Sequence, residues 1–115
     1  MAIYIKTRWS IFIAILLLFP ALSSWAGDLD TGKEALEAGR IDQALDLLQR
    51  AVDSEGLDKP TRAEAYYALG RAFEAKGYWP DAERSYGWAL ALAGTNRTYL
   101  KAFRRMRRLN SPGSP

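Results

Sequence analysis

Near its end the sequence places Lys101, Arg104, Arg105, Arg107 and Arg108 within two helical turns. Lys101, Arg105 and Arg108 stand at i, i+4 and i+7, hence on one side of a helix. Such a group attracts carboxylates, phosphates or an anionic surface. Two roles fit the cluster. Its cations favour the C-terminal half of a helix and solubilise a terminal cap. Alternatively they dock onto an acidic neighbour or onto anionic lipid or polymer, where each Lys or Arg contributes about 1 kcal/mol. Catalytic chemistry is sparse by comparison. The chain has neither cysteine nor histidine, which excludes disulfides, thiol redox chemistry, cysteine-based metal sites and Ser-His or Cys-His catalysis. Asp and Glu pairs recur, but none has the apolar surroundings that would shift a pKa. Carboxylate-only hydrolysis would also need a substrate cleft that so small a chain hardly supplies. No enzyme, catalytic residue, metal or cofactor is expected.

The 115 residues suffice for one small domain. The first 26 read as a secretory signal peptide: Lys6 and Arg8 give a positive start, "IFIAILLLF" from Ile11 to Phe19 is apolar, and Ser24 and Ala26 are small residues two apart. Cleavage is expected between Ala26 and Gly27. The competing reading is an uncleaved membrane anchor, but Trp9 to Leu22 falls short of the ~20 residues needed to span. Export without disulfides fits a bacterial periplasm, and it removes nucleic acid as an expected partner. Charge is unevenly spread. Residues 27–92 carry 8 basic and 13 acidic side chains, whereas 93–115 carry 6 basic and none acidic. The exported part is therefore an acidic body with a basic end.

Periodicity predicts helices throughout and no sheet. Thr31 and Glu34 read as a capping box, opening a short helix that Gly39 stops. Ile41, Ala44, Leu45, Leu48, Ala51 and Val52 form the apolar stripe of the next. Asp58 and Pro60 suit the start of a third helix, with Ala63, Tyr66, Leu69, Gly70 and Phe73 on one face and Gly77 at its end. A fourth begins at Pro80, carries Ala82, Tyr86, Ala89, Leu90 and Ala93, and is expected to stop at Gly94. Thr95-Asn96 offers an N-cap for a fifth, with Tyr99, Leu100, Phe103, Met106 and Leu109 inward. Residues 110–115 read as a disordered tail. The turns are short, so successive helices should pack antiparallel in an all-α fold.

At an offset of 38 the chain aligns with itself: Gly32 with Gly70, Gly39 with Gly77, Ala44 with Ala82, Leu48 with Tyr86, Ala51 with Ala89. Two hairpins of one design follow each other. The second reads Tyr66-x-x-Leu69-Gly70-x-x-Phe73, then Ala82-x-x-x-Tyr86-x-x-Ala89, and resembles the tetratricopeptide repeat. Small residues stand where two helices approach, and large ones fill the space around them. "GYWPDA" between the helices is thus a joint and not a ligand loop. The first hairpin departs from the pattern, with Asp28, Thr31 and Ala35 at its large positions. In the third unit Arg104 replaces the glycine, which suggests a polar cap. The domain spans residues 27–109 as two hairpins and a capping helix, near the lower limit for such arrays, so a partner or self-association is expected to complete the packing.

The resemblance implies a concave groove lined by the first helix of each unit and holding a protein or peptide segment. That face would present Lys33 and Leu36, then Glu64, Tyr67, Arg71 and Glu74, then Lys101, Arg105 and Arg108. The carboxylate clamp of the chaperone-binding members is not implied, because Tyr67, Ala68 and Arg71 hold its places. The implied ligand is a segment of an envelope or exported protein with acidic groups for the basic end and an apolar or aromatic group for Tyr67. In the alternative the basic cluster attaches the protein to an anionic envelope surface, and the repeats serve only as scaffold.

Overall fold

The structure, a computed structural model, describes residues 27–113; the expected signal peptide at 1–26 lies outside the described residues. These residues form five helices and no strand: α1 Asp28–Glu37, α2 Ile41–Asp53, α3 Lys59–Ala75, α4 Trp79–Leu92 and α5 Arg97–Asn110. None of them is long and apolar enough to cross a membrane.

Polar side chains start two helices as expected. Asp58 accepts from the Thr61 amide at 2.9 Å, with Pro60 in the first turn of α3. Asn96 accepts from the Tyr99 amide at 3.1 Å at the head of α5. The capping box at Thr31 does not form. α1 begins four residues earlier, at Asp28, with Gly27 as N-cap, and the Thr31 hydroxyl donates back to the Gly27 carbonyl. Asp28 and Asp30 in the first turn favour this earlier start through the helix dipole.

The two hairpin turns are closed in the same way. After α1, Arg40 N–H reaches the Ala35 carbonyl and Gly39 N–H the Leu36 carbonyl; after α3, Tyr78 N–H reaches Phe73 and Gly77 N–H reaches Glu74. Gly39 and Gly77 take φ of 79° and 78°, the left-handed turn conformation that only glycine adopts without strain. Gly94 takes no such conformation: α4 stops at Leu92, and Ala93 is its C-cap. Asn110, expected to open the tail, is the last residue of α5, because its amide donates to the Trp79 carbonyl at 3.1 Å and to Glu83 at 2.7 Å.

Each helix packs on the next, and α1 also touches α3. Within both hairpins the contact turns on one glycine. A methyl added at Gly32 would lie 2.7 Å from the Leu48 side chain, and one at Gly70 would lie 2.6 Å from the Tyr86 ring. The offset of 38 thus relates equivalent contacts, not merely similar residues. Leu48 and Tyr86 are both fully buried, each the large filler of its hairpin.

The core has two parts. One joins α1, α2 and α3 around Ala35, Leu36, Leu48 and Leu69; the other joins α4 and α5 around Tyr86, Ala102 and Met106, with Tyr67 and Phe73 of α3 packed against it. α3 is buried on more sides than its expected stripe, since Ala65, Ala68 and Ala72 are also covered. A helix flanked by others on both sides loses its single polar face. Leu109, expected inside, is 48% exposed: α5 is the last described helix, and no other described helix packs over this side of its final turn.

Candidate interaction surface

The first helices of the units, α1, α3 and α5, share a face that is bridged from one end to the other. The Lys33 ammonium of α1 pairs with Glu64 of α3. Arg71 of α3 donates to Glu37 of α1 at 3.0 Å. Arg105 of α5 grips the Glu74 carboxylate with three hydrogen bonds, at 2.8, 2.8 and 3.1 Å. That arrangement is the strong, planar form of a charge-assisted contact. The Tyr86 hydroxyl of α4 donates to the same carboxylate at 2.6 Å. Glu74 therefore ties three helices together.

Electrostatics follow from these contacts. Burial alone is the largest influence on Glu74 and would raise its carboxyl, but the hydrogen bonds from Arg105 and Tyr86, with the charges of Arg105 and Arg71, hold it below its ordinary value. Burial first, and the Glu74 carboxylate second, push the Tyr86 hydroxyl well above its ordinary value. Hydrogen bonds to the partner carboxylates raise Arg105 and Lys33. Held ionised beside its arginine, Glu74 is poorly suited to donate a proton.

Between the bridges lies an aromatic patch. Tyr67 stacks on Tyr99 with ring centroids 4.9 Å apart and leans on Tyr86 at 5.6 Å. Tyr67 and Tyr99 are each half-buried, so their edges remain available. Periodicity places Tyr99 on the inward side of α5; its place beside Tyr67 depends on how α5 crosses α3, for which the sequence carries no marker.

The expected site residues divide into three groups. Tyr67 apart, Lys33 meets Glu64, Arg105 meets Glu74 and Arg71 meets Glu37 across helices, so none of these is an open binding group. Leu36 is 9% exposed and belongs to the core, because it lies on the side of α1 that turns toward α2. Lys101 and Arg108 are exposed and make no ion pair among the described residues. In the basic cluster Arg105 is thus taken up by Glu74, Arg107 lies over the Phe103 ring at 6.0 Å, and Lys101, Arg104 and Arg108 stay open.

A second feature escaped sequence reasoning. Trp88 is 54% exposed and stacks on Tyr66 at 6.0 Å, beside a cleft of about 290 Å³ lined by Gln49, Phe73, Asp81, Arg84 and Ser85. At the small end of ligand-pocket volumes and lined by charged groups, it offers less than the aromatic patch. Trp88 lies off the apolar stripe of α4, and period counting passes over such positions.

Compared with protein-family models, curated proteins and solved structures, the chain matches none.

Proposed function

We propose that this chain is a small periplasmic interaction module of tetratricopeptide type, an adaptor, assembly factor or scaffold that holds a segment of an envelope or exported protein on the α1–α3–α5 face. The observation that carries the reading is the Tyr67–Tyr99 pair, half-buried with ring centroids 4.9 Å apart and set among the ion-paired bridges. A face whose helices are tied by Lys33–Glu64, Arg71–Glu37 and Arg105–Glu74 changes little on binding, so little ordering cost offsets the contacts made. Tyrosine edges give a bound segment apolar area at low conformational cost. Lys101 and Arg108 lie about half a turn round α5 from Tyr99, so acidic groups of a partner would meet them only beyond the tyrosine pair. No residue is assigned a catalytic role.

A second reading has its own observation. Lys101, Arg104 and Arg108 are exposed and unpaired on α5 among the described residues, as attachment to anionic lipid or polymer would require. Apart from Leu109, the apolar side of α5 is engaged by the core, so such attachment would be mainly electrostatic and weakened at high salt.

The test is a crosslinking pull-down from periplasmic extract with the wild type, Tyr67→Ala, and a variant with Arg104, Arg107 and Arg108 changed to Gln. A protein captured by the wild type and the Gln variant but lost with Tyr67→Ala supports the aromatic face. Capture of lipid or polymer that vanishes in the Gln variant supports the second reading. Fractionation of cells, with N-terminal sequencing that finds Gly27 first, tests the export on which both rest.

A further inference from the structure

We infer that copies of this chain associate head to tail, the outer face of α5 of one copy docking against the outer face of α1 of the next. α1 and α5 are the first and last described helices of the array. On α1, Asp30, Glu34 and Glu37 are exposed along one face; on α5, Lys101, Arg104 and Arg108 are exposed along one face. Each triplet spans about 60° of its helix at 100° per residue.

The two rows also match in spacing. Read from the C-terminal end of α1, the acids fall at 37, 34 and 30; read from the N-terminal end of α5, the cations fall at 101, 104 and 108. Both sequences of steps are three residues and then four, about 4.5 Å and then about 6 Å along the axis. An antiparallel pair therefore sets Glu34 against Arg104 and Asp30 against Arg108, while Lys101 meets Glu37, whose carboxylate Arg71 already holds at 3.0 Å. A parallel pairing runs four-three against three-four and matches less well, its middle pair offset by one residue, about 1.5 Å. Antiparallel docking also continues the alternation of direction that short turns impose from α1 to α5, and it opposes the two helix dipoles.

Charge is the reason a second copy, and not an unrelated acidic protein, is the occupant. Asp30 and Glu34 have no cation partner, and Lys101, Arg104 and Arg108 have no anion partner, among the described residues. Each copy carries both halves of the contact, at opposite ends. Such a contact is heterologous and does not close on itself in a dimer, so it extends to longer assemblies or rings. Because one helix face is small and its charges are exposed, the association is weak and sensitive to salt.

The experiment is sedimentation or light scattering of the purified full chain over a range of concentrations, in about 0.01 M and about 0.1 M salt, between which the Debye length falls from about 30 Å to about 10 Å. Mass should rise with concentration past the dimer in low salt and fall back in the higher. R104E/R108E alone and D30K/E34K alone should each weaken association at least about tenfold, since each now sets like charges face to face. An equimolar mixture of the two should recover it, because the reversed α5 of one meets the reversed α1 of the other. Circular dichroism checks that the helices persist. If a reversal unfolds the chain, the neutral pair R104Q/R108Q and D30N/E34N takes its place: each alone should show a smaller loss, and their mixture should recover one intact contact, giving a dimer that grows no further. A mass that stays monomeric at every concentration overturns the proposal. So does association that the variants leave unchanged, or binding to vesicles of anionic lipid with no growth in mass of the free protein.

Discussion

The Tyr86 hydroxyl donates to Glu74 Oε2 at 2.6 Å, and through that carboxylate the fully buried filler of the second hairpin is joined to Arg105 of α5. Removing only the hydroxyl, in Tyr86→Phe, keeps the ring against Gly70 and leaves Glu74 with Arg105 alone. A hydrogen bond to a charged group stabilises by about 1.5–3 kcal/mol. Glu74 keeps its arginine and some contact with water, so a loss of about 1–2 kcal/mol is expected in urea melts followed by circular dichroism. The same variant should blunt alkaline unfolding. With its folded value raised above 10.0, the Tyr86 hydroxyl stays protonated in the fold while the unfolded chain ionises. Its contribution is thus complete below about pH 10 and declines above it.

At the acid end the sign reverses. Glu74 is held below its ordinary value of 4.5, so on lowering the pH the unfolded chain takes up the proton first. The contribution is complete above about pH 4.5 and is lost as pH falls through the lower folded value. Glu74→Gln should therefore be less stable than wild type at pH 7, and the difference should narrow in melts toward pH 3. A gap that stays constant over that range would remove Glu74 from the list of groups driving acid unfolding.

How far the fold was legible depends on what kind of information each feature needs. The helices and the repeat could be read because apolar period and glycine position are local: Gly39 and Gly77 close equivalent turns, and Gly32 and Gly70 meet Leu48 and Tyr86 at the same offset. The first-unit start could not, since Thr31 and Glu34 satisfy a local motif that the acids of an earlier first turn displace. The second buried face of α3, at Ala65, Ala68 and Ala72, needs the neighbour on its other side. The candidate face was legible in its membership and not in its state. That Glu74 belongs to Arg105, 31 residues on, and Glu37 to Arg71, 34 residues on, is a matter of packing, so groups expected to await a ligand are found holding one another.

The two hairpin glycines should differ in tolerance although they are equivalent by position. Alanine in a helix interior gains roughly 0.5–1 kcal/mol over glycine, which opposes any overpacking cost of about 1–3 kcal/mol. At Gly32 the added methyl meets Cγ and Cδ2 of the fully buried Leu48 at 2.7 Å and Cβ of Leu47 at 3.3 Å, so relief needs both a turn of the Leu48 side chain and a small shift of α2. At Gly70 it meets the rigid Tyr86 ring at 2.6 Å, and that ring is anchored at its far end by Glu74. Gly70→Ala should destabilise by about 1–2 kcal/mol, and Gly32→Ala by less. Paired urea melts measure the difference. Equal effects would mean that the Tyr86 ring is as free to shift as the leucine.

Arg62 should prove a stabilising residue, although nothing about its position in the sequence marks it. From the first turns of α3 its guanidinium reaches back to the end of α2, where Nη1 donates to the Val52 carbonyl at 2.6 Å and Nη2 to the Ser54 carbonyl at 2.9 Å. The last carbonyls of a helix have no partner within it, and a basic side chain can cap them while complementing the dipole. Here the cap comes from the next helix, so it also sets how the first hairpin meets the second. Arg62→Ala should cost about 1–3 kcal/mol. Arg62→Lys restores the charge but not the two-pronged fork, and should recover less than half of that loss. Hydrogen exchange should show faster exchange in the last turn of α2 and the first of α3 in both variants, with the α4–α5 pair unchanged; acceleration spread evenly over all five helices would point instead to a general loss of stability, with no special role for the cap.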